Sequence, residues 1–249
     1  MDVPIVRPVS GPNTPRLGPL AVMVSNRRDL EGIAAAMPAS WAGRCRPLFN
    51  SHLHLPSAGP GACMVGPVMA AAYAVMLLET LAARGVRRVL YFGWCGALDG
   101  NIEIGDVVVP AGSVVDEGTS PAYGAGAGSR VAPTPGWQQT VHDAVTAIRD
   151  LAVHQAVVWT TDAVFRETPR RVAHFAEAHQ ARAVEMEVSA LCSAADFLGV
   201  EMAAVLAVSD SLAGGQWRPG FSSPRFLQTR KALGAWIGGL LQAPDWTGV

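Results

Sequence analysis

AVEMEVSALCSAADFLGVEMAAVLAVSD, residues 183–210, changes its hydrophobic period twice. Residues 183–186 are a short apolar run and read as a buried strand. Residues 187–198 carry apolar positions at helical spacing, and 201–209 return to a continuous apolar strand. Outward from this stretch the alternation repeats. Strands are expected over 20–25, 62–65, 88–92, 107–115 and 152–160. Helices are expected over 29–37, 67–84, 136–150, 168–179 and 226–241, and 46–55 reads as a hairpin. Pro67 and Pro169 stand in first turns, the favoured helical place for proline, and Gly85 ends its helix. Strands and helices alternating throughout predict a layered α/β fold with a largely buried sheet. No repeat or linker divides the chain. The expectation is an extended arm over residues 1–19 and one domain over 20–249.

Composition narrows the function. Half of the 249 residues are hydrophobic and 16% are charged, enough to bury a sizeable core. The formal net charge of −1 gives no electrostatic footprint for nucleic acid or an anionic membrane. Cys45, Cys63, Cys95 and Cys192 form no C-x-x-C pair, so neither a zinc site nor a disulfide framework is expected. Residues 1–16 lack the apolar stretch of a signal peptide. The longest apolar run, 65–81, is interrupted by Pro67, Tyr73, Glu79 and Thr80 and suits a buried helix better than a membrane span. A cytoplasmic location follows. The glycine-rich stretch 124–128 has no strand before it and no Lys after it, so it reads as a surface loop and not a phosphate cradle.

Four strand ends carry unusual residues, and strand ends are where open α/β sheets collect ligands. Gly93-Trp94-Cys95-Gly96 reads as a turn after a buried strand, where glycines let a ligand approach the backbone. Glu185 and Glu187 flank Met186 at a strand–helix junction. Helix capping accounts for one such carboxylate; a second could accept hydrogen bonds from vicinal hydroxyls. Asp210 closes an apolar strand and is placed for general-acid work, with a turn role as the alternative. Phe165 follows Thr160-Thr161-Asp162 and could stack on a flat heterocycle or simply fill the core.

Taken in order, these sites resemble the nucleoside phosphorylase/nucleosidase family, which includes purine nucleoside phosphorylase, uridine phosphorylase and the methylthioadenosine/S-adenosylhomocysteine nucleosidases. The most specific parts are Gly93-Trp94-Cys95-Gly96 with the following Ile104–Pro110 segment, Val184-Glu185-Met186-Glu187, and Val208-Ser209-Asp210. The resemblance implies a single-domain, three-layer α/β fold with a mixed, partly barrel-like sheet flanked by helices. It implies Glu187 as acceptor for the ribose hydroxyls, Met186 as the floor under the sugar, and Phe165, Cys95 and Gly96 beside the base. Asp210 is similar to the acid that protonates a leaving purine at N7. A nucleoside substrate, no cofactor, and a homo-oligomer (a dimer or trimer of dimers) follow from the same resemblance. Phosphate is a candidate co-substrate.

The chain departs from the phosphorylase pattern at the anion site. Tyr91 stands where an Arg is expected and Trp94 where a Ser or Thr is expected. Asp29 takes the place of an Arg after the first strand. Arg27, Arg28, Arg46, Gly93 and Trp94 remain as candidates for holding phosphate, and Asp29 becomes a candidate base for an attacking water. These changes tilt the expectation towards hydrolysis. A non-catalytic nucleoside-binding protein is the alternative from another class, although a binder has no need of Asp210. A metal site built on His52, His54, His174 and His179 lacks partner ligands at useful spacing.

Overall fold

The computed structural model describes residues 4–8, 14–38, 44–57 and 61–243, together with Trp41 and Gly59. The arm expected over 1–19 and the last six residues of the domain lie partly or wholly outside them. The chain meets the body from Leu17, which is buried and whose amide donates to the Arg84 carbonyl.

Strand β1 (Leu20–Val24) shows why the sheet is central: all five side chains are buried. Leu20, Val22 and Val24 point into one core; Ala21 and Met23 point into the other. A strand covered on both faces must be apolar throughout. The first core packs under α1 (Arg27–Ala36), α3 (Pro135–Thr146) and α6 (Pro224–Gln242). The second packs under α2 (Ala71–Ala83) and α5 (Val188–Leu198). A smaller cluster seats Phe175 of α4 (Pro169–Ala178) on Trp159, with ring centroids 4.2 Å apart.

The remaining strands are β2 (Arg44–Leu48), β3 (Ser51–Leu55), β4 (Cys63–Gly66), β5 (Arg88–Ala97), β6 (Val107–Asp116), β7 (Arg130–Val131), β8 (Val153–Thr161), β9 (Ala181–Glu185), β10 (Glu201–Ser211) and β11 (Arg218–Pro219). They form one mixed sheet in the order β11-β10-β6-β8-β9-β5-β1-β4-β3-β2. A further pairing of β10 with β5 closes β5, β10, β6, β8 and β9 into a ring. The result is a partly barrel-like sheet with helices on both sides. Among the described residues no helix is long and apolar enough to cross a membrane.

Two local expectations change. Pro67 does not open a helix: α2 starts at Ala71, and Ala70 before it sits at φ 68. The Gly93–Gly96 stretch is not a turn. Strand β5 runs on to Ala97 because parallel pairing with β10 continues as Asp210↔Gly96 and Ser211↔Ala97. That register shifts by a bulge between Val208 and Asp210, and a bulge re-aims the side chain that follows it.

Candidate active site

The ends of β5, β9 and β10 and the segment after β8 enclose a cavity of about 440 Å³. Its wall contains Trp94, Cys95, Gly96, Phe165, Glu185, Met186 and Asp210 from the sequence reading. It also contains Ser209, which that reading quoted beside Asp210 without a role, and Glu167, Trp217 and Phe221, which it did not single out. Phe165 is almost fully exposed and stands at the mouth.

Asp210 is held at both oxygens. Ser209 Oγ lies 2.6 Å from Oδ1, and Trp217 Nε1 donates to Oδ2 over 2.9 Å. Gly96 makes this placement feasible, because a Cβ there would lie 3.2 Å from Asp210 Oδ2 and 2.8 Å from Leu212. Cys95 is buried, and burial pushes its thiol well up, ahead of the neighbouring Asp210 and Glu185 charges. It is a wall and not a nucleophile.

The two glutamates divide their work. Glu185 Oε2 accepts from the amides of Glu187 and Val188 at 2.7 and 2.8 Å, capping α5, while Thr160 Oγ1 donates to Oε1. Burial and the nearby Glu187 push Glu185 up to about 8, against those donors. Glu187 follows the cavity residue Met186 in sequence and is buried but does not itself line the cavity, and burial raises its pKa too. The Ala70 amide donates to Oε1 over 2.6 Å, and the Tyr91 hydroxyl donates to Oε2 over 2.7 Å.

The residues considered for phosphate do not converge. Tyr91 is fully buried, and a Cβ on Gly93 would lie 2.6 Å from its ring, so the phenol already covers that glycine. Arg27 is exposed and pairs with Glu31 at 2.7 Å. Arg28 is exposed and lines a separate groove between α1 and α6. Arg46 is exposed on β2, opposite Leu53. Trp94 does reach the cavity, but its indole N–H turns away and donates to Asp29 Oδ2 over 2.7 Å.

Asp29 therefore lies behind Trp94, outside the cavity wall. Arg230 of α6 grips its other oxygen, with Nε at 2.8 Å and Nη2 at 2.7 Å, and lies 4.7 Å over the Trp94 ring. Burial raises the Asp29 pKa; Arg230 and Trp94 oppose that rise. Both side chains of the ion pair are largely shielded, 10% and 6% exposed. Removing one partner of such a pair strands the other charge. We predict that Arg230→Met lowers unfolding free energy by about 3–5 kcal/mol, read by urea denaturation. Adding Asp29→Asn recovers much of the loss. A loss below about 1 kcal/mol would place the pair among weak surface contacts.

Glu167 brings a further carboxyl into the cavity, just before the α4 cap residue Thr168. Burial and the Asp210 charge push it up to about 7, and Arg171 opposes them. Its carboxylate makes no hydrogen bond or ion pair with any described residue.

A closed ring of strands with a carboxyl-lined, aromatic-walled cavity at its strand ends defines an α/β protein built around a small-molecule site. The chain belongs to the phosphorylase superfamily, whose family model matches residues 38–232. It is 30% identical over 148 residues to a guanosine phosphorylase from Halorubrum lacusprofundi, covering 57% of this chain and 58% of that protein. The chain thus spans somewhat more than half the length of that relative. A purine nucleoside phosphorylase from Toxoplasma gondii, solved with immucillin-H, shares the fold with a TM-score of 0.72 at 17% identity, covering 90% of each chain. The 5′-methylthioadenosine/S-adenosylhomocysteine nucleosidase from Helicobacter pylori gives a TM-score of 0.71 at 16% identity, covering 90% of this chain and 97% of that one. The fold expected from the sequence resemblance is the fold found.

Proposed function

We propose that this protein cleaves the N-glycosidic bond of a purine-type nucleoside, with water as the acceptor. The base lies between Gly96, Phe165 and Asp210, and the ribose lies over Met186 with its hydroxyls towards Glu187. Bond breaking leaves positive charge on the sugar and negative charge on the base. Asp210 meets the base, and Glu187 meets the sugar. The bulge and Gly96 that set Asp210 in the wall, and the Tyr91 and Ala70 donors that fix Glu187, support these roles.

The observation that carries the choice of acceptor is the charge of the cavity. None of its lining residues is a Lys, Arg or His, whereas Glu167, Glu185 and Asp210 are all present. A phosphate dianion entering a partly dry pocket needs cations or several donors, and here it would meet carboxylates. Water has no such requirement. Asp29, engaged by Arg230 and Trp94, is left out of the proposed chemistry; it braces the Trp94 wall. A homo-oligomer and a cytoplasmic location belong to the same reading. Phe49, Met69 and Met76 are exposed on the α2 side and are what a second copy would cover.

The test is product identity. Incubated with inosine, guanosine, adenosine or methylthioadenosine, the protein should release free ribose or its 5′-substituted form at a rate unchanged by added phosphate. Formation of ribose 1-phosphate that stops when phosphate is removed would overturn the hydrolytic assignment. Release of no base from any nucleoside would overturn the catalytic one.

A further inference from the structure

We propose that the preferred substrate of this cavity is a cationic nucleoside, one whose flat base carries a positive charge before the glycosidic bond breaks. The inference rests on the nucleoside-cleaving reading above and deepens it.

The wall is built for a cation on two independent grounds. Its acidic side chains are Glu167, Glu185 and Asp210, and no Lys, Arg or His lines it. Its rings are Trp94, Phe165, Trp217 and Phe221. Trp94 and Phe221 stand with centroids 6.2 Å apart at 32°, and Trp217 and Phe221 stand 6.3 Å apart at 59°. Tilted aromatic faces around a pocket attract a flat or quaternary cation through the ring quadrupole. Glu185 is already satisfied by its helix-capping amides and Thr160. Glu167 is not; it makes no hydrogen bond or ion pair among the described residues. Arg171, the cation that opposes the rise in the Glu167 pKa, is itself paired with Asp116. A half-buried carboxylate without a partner, facing the same space as Asp210, lacks a counter-charge that a cationic base would supply.

The hydrogen bonds of Asp210 point the same way. An indole N–H can only donate, so Asp210 Oδ2 accepts from Trp217 Nε1, while Oδ1 is engaged with Ser209 Oγ. A neutral purine needs a proton as it leaves, which requires Asp210 to be protonated and to turn that proton to the base although both of its oxygens are already engaged. A cationic base needs none. The C1′–N bond breaks and its electron pair returns to the ring nitrogen, so the base departs neutral. Water forms the new C1′–O bond and releases one proton to solvent. Asp210 and Glu167 then act as carboxylates that hold the cation.

Two sources share this chemistry: an N7-alkylated purine riboside and a pyridinium riboside. The experiment compares 7-methylguanosine and nicotinamide riboside with guanosine and inosine, without phosphate, following free base. The expected result is a kcat/KM for a cationic substrate at least about ten-fold above that for guanosine, within the range a desolvated cation–π contact supplies. Glu167→Gln should reduce the ratio of kcat/KM for the cationic substrate to that for guanosine by about ten-fold, as loss of one charge partner. If only nicotinamide riboside is favoured, the proposal stands and the purine assignment falls. If guanosine matches or exceeds both cations, the proposal is overturned and the nucleosidase reading survives. If nothing is cleaved, the nucleosidase reading fails. Tryptophan fluorescence titration then decides the cation preference: tighter binding of 7-methylguanosine than of guanosine upholds it, and equal or weaker binding overturns it.

Discussion

Asp210→Asn lowers turnover on a neutral purine nucleoside by about 10²–10⁴-fold, the usual contribution of a general acid. The fold should survive the change. Asparagine keeps the shape, and its carbonyl oxygen can accept from Trp217 Nε1 while its amide nitrogen faces Ser209 Oγ, which can turn to accept. Gly96 leaves the same room for either side chain. What disappears is the group that neutralises charge on the departing base. The deficit should therefore lie in kcat on inosine or guanosine, with nucleoside binding largely retained. On 7-methylguanosine the deficit should move into KM, because no proton is required and only attraction for the cation is lost. Stopped-time base release, with denaturation as a control for folding, separates these outcomes. An Asp210→Asn protein that turns over inosine like the parent would remove Asp210 from the chemistry altogether.

The layering was legible because core strands such as β1 and β10 are apolar runs and helices such as α3 and α6 bury one stripe at helical spacing. The ring closure was not. It depends on β5 and β10 pairing across more than one hundred residues, and that pairing turned an expected glycine turn into strand. Pro67 misled for a related reason. A proline followed by an alanine-rich run resembles a first helical turn, but the chain first passes through Ala70, whose amide is committed to Glu187. In the candidate site, the motif-bearing residues were visible and their supports were not. Nothing local links Asp29 to Arg230, which lies on the last helix. Glu167, Trp217 and Phe221 sit in no motif, and only the folded wall brings them to Asp210. The sequence also left open which of Glu185 and Glu187 caps the helix. Distances decide it: Glu185 holds the α5 amides, and Glu187 holds Tyr91 and Ala70.

That division makes Glu187 the second residue with a large expected effect. Its carboxylate is buried, and each oxygen already accepts one hydrogen bond. A carboxylate has roughly four lone-pair sites, so ribose hydroxyls can still be accepted alongside Tyr91 and the Ala70 amide. Glutamine fits this setting without breaking it. Its oxygen can face the Ala70 amide, and its amide nitrogen can donate to Tyr91, whose hydroxyl accepts as well as donates. Folding stability should change little, since burial already disfavours the charged form at this position. The ribose loses a charge-assisted acceptor, worth about 1.5–3 kcal/mol, or roughly 10–150-fold in kcat/KM. Tyr91→Phe offers the complementary case. It keeps the charge but leaves Glu187 Oε2 short of its buried donor, costing about 1–3 kcal/mol in stability. Its effect should therefore appear in denaturation as well as in rate. Deoxynucleosides provide the internal control: where the hydroxyl is missing, Glu187→Gln and the parent should converge. Free base should bind both proteins alike. If Glu187→Gln instead weakens free base as strongly as nucleoside, the carboxylate serves the architecture of the pocket and not the sugar.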